Sequence, residues 1–206
     1  MSGALVWGGA ALAYLGFRAW YDNWRGPLRP DEIEACLRRL EGTSTAEVNE
    51  LPALRQFLED DDGREFVMLN LVRLTREPVT DPESGEPVRA TKLLRRYMSG
   101  FLPTLLRHGG VPLLQARKVG PYIDAWGTEA DPGWTLVGCM RYRSRRDMVS
   151  LVTDPRFLDS HAFKIAALTH TFSFPTQVGG GAFLGPRVWV ALTLALAAAL
   201  TQLATG

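Results

Sequence analysis

Phe66-Val67-Met68-Leu69-Asn70-Leu71-Val72-Arg73-Leu74 decides the fold. The run has no helical stripe and is too apolar for a sheet edge, so it reads as a buried strand. After it, Thr75 to Arg89 is polar and carries Pro78, Pro82, Gly85 and Pro87, which predicts a long exposed loop. From Thr91, Leu94, Tyr97/Met98, Phe101/Leu102 and Leu105 recur at helical spacing. Pro103 predicts a kink or restart there, and Gly109-Gly110 an end. Val111 to Gly120 reads as a second strand, with Leu113, Gln115 and Arg117 on one side and Leu114, Ala116 and Lys118 on the other. Trp134 to Tyr142 reads as a third. Ser144 with Asp147 has capping-box spacing, and Asp154-Pro155 starts another helix. His170, Phe172 and Phe174, alternating with Thr171 and Ser173, close the pattern. The order β-α-β-β-α-β is the ferredoxin-like split unit, an α+β fold. Helices cover one face of such a sheet, and the other must be buried elsewhere.

Upstream, residues 26–63 read as a helical connector. Pro30-Asp31-Glu32 starts a helix with Ile33, Leu37 and Leu40 on one face, and Gly42 stops it. Ser44 to Glu47 has capping-box spacing for a second short helix, which Pro52 interrupts or restarts; Leu54, Phe57 and Leu58 are its apolar face. Asp60-Asp61-Asp62-Gly63 reads as a solvated turn.

The ends are apolar. Ala4 to Phe17 carries no charge, and with Arg18 snorkelling the stretch is about 18 residues, roughly 27 Å at helical rise, enough to cross a bilayer core. A cleaved signal would want basic residues before the run and small ones after it. Met1 to Trp7 carries no basic side chain, and Arg18, Trp20, Tyr21, Trp24 and Arg25 follow, as interfacial anchors do. Residues 1–25 are therefore expected to be an N-terminal transmembrane helix. In residues 179–206, Gly179-Gly180-Gly181 breaks the chain and Val188 to Ala204 runs uncharged. That segment is expected to be a short transmembrane helix, with an interfacial helix as the alternative. Arg18, Arg25 and Arg187 flank the runs on the side of the middle segment. The positive-inside rule then puts that segment in the cytoplasm of a bacterial cell, at its inner membrane, with both termini opposite. Gly9 with Ala13, and Ala191, Ala195 and Ala199, recur every four positions, as close helix packing in lipid requires.

The 206 residues suit one ordinary domain with appendages. A hydrophobic fraction of 46% excludes wholesale disorder, and a net charge of +1 gives no basic field for nucleic acid. Cys36 and Cys139 fit neither a disulfide framework nor zinc spacing.

Residues 64–178 resemble the dimeric α/β-barrel superfamily, and within it an uncharacterised branch of small single-domain proteins. The resemblance rests on Met68-Leu69-Asn70-Leu71-Val72-Arg73, Tyr97 with Pro103, and His108-Gly109-Gly110. It extends to Met140-Arg141-Tyr142-Arg143-Ser144-Arg145 and Val152-Thr153-Asp154-Pro155-Arg156-Phe157. It implies a homodimer whose two sheets face each other around a small apolar cavity; helices at both ends would make this a membrane-anchored variant. The superfamily includes haem-degrading monooxygenases, polyketide cyclases and lactone isomerases, so the fold selects no reaction. Haem-degrading members use an Asn on the first strand with a helical Trp and His. Asn70 matches that Asn, but no Trp–His pair follows at the required spacing.

Asn70, Tyr97, Gln115, Arg117 and His170 are the candidate cavity residues; Asn70 shares its face with Met68 and Val72. His108 reads as a helix-end residue, and the three histidines match no metal motif. Arg141, Arg143, Arg145 and Arg146 are either a lipid-headgroup cluster or a solvated helix entry. No cofactor or metal and no catalytic set is expected, and no phosphate loop or nucleophile elbow is present. The leading expectation is a non-catalytic accessory or scaffold subunit, self-paired through its sheet and held among lipids and other integral membrane subunits. The alternative is a membrane-tethered enzyme or carrier for a small hydrophobic, aromatic or quinone-like molecule.

Overall fold

The computed structural model describes residues 2–43, 50–180 and 184–205. The capping box expected at Ser44 to Glu47, and Gly181, lie outside these residues. The chain forms two compact units: Arg25–Gln177, and the terminal segments Met1–Trp24 with Val178–Gly206.

In the central unit, β1 (Phe66–Leu74), β4 (Val111–Arg117), β5 (Leu136–Tyr142) and β6 (Leu168–Thr176) form an antiparallel sheet in the order β4-β5-β1-β6. The apolar run Phe66–Leu74 is thus a central strand, and the expected β-α-β-β-α-β order is present. Helices α4 (Ala90–Arg107), α5 (Arg145–Val152) and α6 (Pro155–Ala167) supply its helical parts. Helices α2 (Pro30–Leu40) and α3 (Leu51–Glu59), the expected connector, share the same core through Ile33, Cys36, Leu37, Leu40 and Leu58.

Register separates the two faces. Asn70 lies opposite Gly138 and Ser173, and Met68 opposite Met140, so these side chains share a face. Phe66 on that face stacks on Tyr142 with centroids 5.1 Å apart. Helices α4 and α6 cover it through Leu93, Tyr97, Phe101, Phe157 and Phe163. They cross closely at Gly100, where a Cβ would lie 2.9 Å from Ser160 Cβ. The opposite face carries Leu69, Leu71, Val137 and Cys139, with Leu114, Phe172 and Phe174 exposed on it.

The structure corrects four local expectations. The Thr75–Arg89 segment is not simply an exposed loop, because β2 (Val79–Thr80) pairs with β3 (Pro87–Val88). Asp81 in their turn is buried, accepting from Glu83 N at 3.0 Å and from Arg96 Nη1 at 2.7 Å. Helix α4 runs unbroken through Pro103. The acidic turn is not merely solvated: the Asp61 carboxylate is buried, accepting from Leu28 N at 2.8 Å and Gly63 N at 3.0 Å, 3.5 Å from Arg145 Nε. The arginine cluster is consumed within the fold. Arg141 meets Glu65, Arg143 meets Asp147, Arg145 donates to Phe57 O, and Arg146 grips Glu32 at 2.9 Å together with Gly26 O and Pro27 O. These residues tie the connector to α5 and are not spare charges for headgroups. The caps at Ser144 and Asp154 form as expected, accepting from Asp147 N and Arg156 N.

In the terminal unit, α1 (Gly3–Tyr21) and α7 (Pro186–Thr205) form an antiparallel hairpin. Trp7 Nε1 donates to Gln202 Oε1 at 2.7 Å near the termini. At the other end Asp22 accepts from Arg18 Nε at 2.5 Å and Arg187 Nε at 2.7 Å. Arg25, in the central unit, pairs with Glu32 at 2.7 Å. Helix α7 buries Ala198 and half-buries Ala191, Ala195 and Ala199. Gly9 and Ala13 lie exposed on the outer flank of α1, so Val6 and its half-buried neighbours Ala10 and Tyr14 carry the pairing with α7. Among the described helices, only α7 is long and apolar enough to cross a membrane. Helix α1 carries glycines at four positions and Arg18 near its end.

Removing the Asp61 carboxylate leaves two backbone N–H groups without their acceptor and takes a counter-charge from Arg145. Asp61→Ala is expected to lower urea-unfolding stability by about 2–4 kcal/mol, while Asp60→Ala, exposed, changes it by less than about 0.5. Equal effects would contradict this assignment.

Candidate functional site

Between the helix-covered face of the sheet and α4 and α6 lies a cavity of about 230 Å³. Strand alternation supplies Met68, Asn70 and Val72 from β1, and Leu136, Gly138 and Met140 from β5. Helical spacing supplies Leu94, Tyr97, Met98 and Phe101 from α4, and Phe157, His161 and Lys164 from α6. Gly138 is what keeps the floor open: a Cβ there would meet only the Met140 methyl, at 3.8 Å. No Asp or Glu is among the described lining residues.

The polar groups differ in how far they are already used. Asn70 Nδ2 donates to Met68 O at 3.1 Å and Gly138 O at 3.3 Å, while Ser173 Oγ donates to Asn70 Oδ1 at 2.9 Å. Its amide therefore stitches β1 to both neighbouring strands and has one acceptor lone pair to spare. Tyr97 and Tyr142 are each 7% exposed, and among the described residues neither hydroxyl has a hydrogen-bond partner. Burial pushes both phenols up, Tyr97 further because Tyr142 is its neighbour. The half-buried Lys164 holds Nζ 5.8 Å from the Tyr97 ring centroid, and desolvation lowers its pKa. His161 stacks on Phe157 at 5.0 Å and is pushed down to about 4, by burial first and then by the Lys164 charge.

Of the five residues proposed from sequence, Asn70, Tyr97 and Gln115 meet at this cavity. Gln115 reaches it from the exposed edge strand β4. Arg117 shares the face of Gln115 by register but lies outside the lining. His170 sits opposite Arg73 on the other face of the sheet, away from this cavity. The cavity thus lies under the helices of one chain, not on the face that a second sheet would cover. His108 caps α4, its Nε2 3.2 Å from Asp154 Oδ2. Sequence reasoning passed over Lys164 and said of His161 only that it fits no metal motif. Their i, i+4, i+7 spacing with Phe157 was the available signal: two basic groups on an otherwise apolar helix face.

Chemically, the site can enclose a small apolar body and offer hydroxyl and ammonium donors at its wall. Among the described residues no group of three or more His, Cys, Asp or Glu side chains is placed to hold a metal ion.

No family model and no curated protein matches the chain. A solved structure of RPA0582, a protein of unknown function from Rhodopseudomonas palustris, superposes with TM-score 0.54 at 22% identity, covering 65% of this chain and 96% of that one. Its methylated form gives 0.55 at 21%, over 66% and 96%. At3g17210 from Arabidopsis thaliana gives only 0.38 at 8% identity, over 57% and 99%. The likeness to RPA0582 shows a shared α+β fold.

The low His161 pKa has a measurable consequence. The unfolded imidazole takes up a proton near 6.5 that the folded one refuses until about 4, so this residue costs stability as pH falls through that window. An NMR titration of His161 is expected to show its midpoint near 4, and His161→Phe to flatten the stability decline between 6.5 and 4. A midpoint near 6.5 would contradict a desolvated ring.

Proposed function

We propose that the chain is a membrane-anchored homodimer whose central domain binds a small, largely apolar molecule in the cavity under α4 and α6. The single observation that carries this reading is the cavity itself. A space of about 230 Å³ with mostly apolar walls and a few polar groups suits a small ligand by size and chemistry. The wall offers no paired acid and base, which favours a carrier or binding role over catalysis.

Anchoring is supported by α7 and by the uncharged run of α1 before Arg18, packed against it as a hairpin. In this reading α1 is the second span. Arg18, Asp22 and Arg187 sit at the end that joins the central domain, which the positive-inside rule assigns to the cytoplasm. The dimer is supported by the open sheet face, where Leu114, Phe172 and Phe174 are 42%, 52% and 40% exposed. A second reading, an assembly subunit for other membrane proteins, is favoured by the small-residue flank Gly9/Ala13, which α7 leaves unoccupied.

The full chain, extracted from membranes in mild detergent and analysed by native mass spectrometry, is expected to retain a small apolar molecule. Gly138→Leu, which fills the cavity, is expected to fold equally well and emerge empty. An empty wild type, or equal retention by both, would overturn the binding reading. Release of the chain by alkaline carbonate would overturn the anchoring.

A further inference from the structure

We propose that the cavity is built for a small aromatic acid, its carboxylate held by Lys164 and the Tyr97 and Tyr142 hydroxyls and its ring seated among methionines. This rests on the cavity-binding reading and goes beyond it by naming the ligand class.

Charge gives the first argument. Arg96, Arg143, Arg145, Arg146 and Lys118 each meet a carboxylate in the central unit. Among the described residues Lys164 meets none, and it lies beside the π face of Tyr97 and near His161. Among the described lining residues there is no Asp or Glu to balance the Lys164 charge at the cavity wall. A half-buried ammonium in apolar surroundings is costly until an anion joins it.

Hydrogen bonding gives the second. Tyr97 and Tyr142 are more than nine-tenths buried, yet their hydroxyls are neither bonded to protein nor sealed within it. Two hydroxyl donors reachable from the cavity, on the same lining as the Lys164 ammonium, suit an acceptor-rich group such as a carboxylate.

The wall gives the third. The chain has 5 methionines, and Met68, Met98, Met140 and Met148 all line this cavity. Thioethers are adaptable and favour aromatic partners, and Phe101 and Phe157 extend the same surface. A dry cavity of about 150 Å³ takes benzene. The present volume suits a benzene-sized ring with a short acid arm.

The test uses the full chain in lipid nanodiscs, titrated calorimetrically with 3-phenylpropanoate and its neutral match 3-phenylpropanamide, with empty nanodiscs as blank. The acid is expected to bind about tenfold or more tighter than the amide. Lys164→Met is expected to weaken the acid about tenfold while changing the amide less than about threefold. Tyr97→Phe is expected to weaken the acid by about threefold. Melting curves check that both variants fold; if Lys164→Met does not, the wild-type acid-to-amide ratio and Tyr97→Phe decide. Equal affinity for acid and amide, or an acid affinity indifferent to Lys164→Met, overturns the proposal. If neither probe binds while wild type still retains a neutral molecule from the membrane, the acid preference fails and cavity binding stands. An empty wild type overturns both.

Discussion

The period-two alternation of β1 is the constraint from which the central unit follows. As a central strand it must serve two surfaces at once. Phe66, Met68, Asn70 and Val72 go beneath the helices, while Leu69 and Leu71 go to the far side. A slip of one residue would expel the core ring Phe66 and move Asn70 out of the cavity. The amide of Asn70 opposes that slip, since it bonds across to Gly138 O on one neighbour and receives Ser173 Oγ from the other. The residue that resembles a catalytic Asn is, in this chain, a register pin at the cavity floor.

The covered face is incompletely filled, and the reasons are local. Gly138 contributes no side chain at the point where Asn70 and Ser173 converge, and α4 is held close to α6 by Gly100. The resulting space is lined by flexible thioethers and by a few polar groups, Asn70 and Ser173 bonded to each other among them. In the same unit the carboxylates of Asp61, Asp81 and Glu32 each take several donors. Glu32 is held down to about 2, chiefly by Arg146. Its stabilising contribution is present above the ordinary carboxylate range and fades as pH falls towards 2. Lys164, which meets no carboxylate among the described residues, stands apart from these paired groups.

Much of the fold was legible in sequence because it rests on short-range signals. The apolar run at Phe66, the caps at Ser144 and Asp154, and the alternation through Phe172 and Phe174 fix strands and helix starts by chemistry acting over a few residues. What was not legible depends on contacts between distant segments. Asp61 reads as solvated until Leu28 and Arg145 arrive from 33 and 84 positions away. The hairpin hidden in Thr75–Arg89 depends on Arg96 reaching back to Asp81. At the cavity, Asn70, Tyr97 and Gln115 were found from residue type and face. Lys164 was missed because a lysine on a helix reads as solvated unless the packing of that face is known.

The central claim is that the space beneath α4 and α6 admits a small aromatic acid from outside. It is tested most directly by NMR of the full chain in nanodiscs with methyl-labelled methionine, titrated with 3-phenylpropanoate. The account predicts saturable shifts at Met68, Met98, Met140 and Met148, with Met1 unmoved and all shifts lost in Gly138→Leu. Methyl signals that stay fixed throughout the titration, or move equally in that variant, would contradict it.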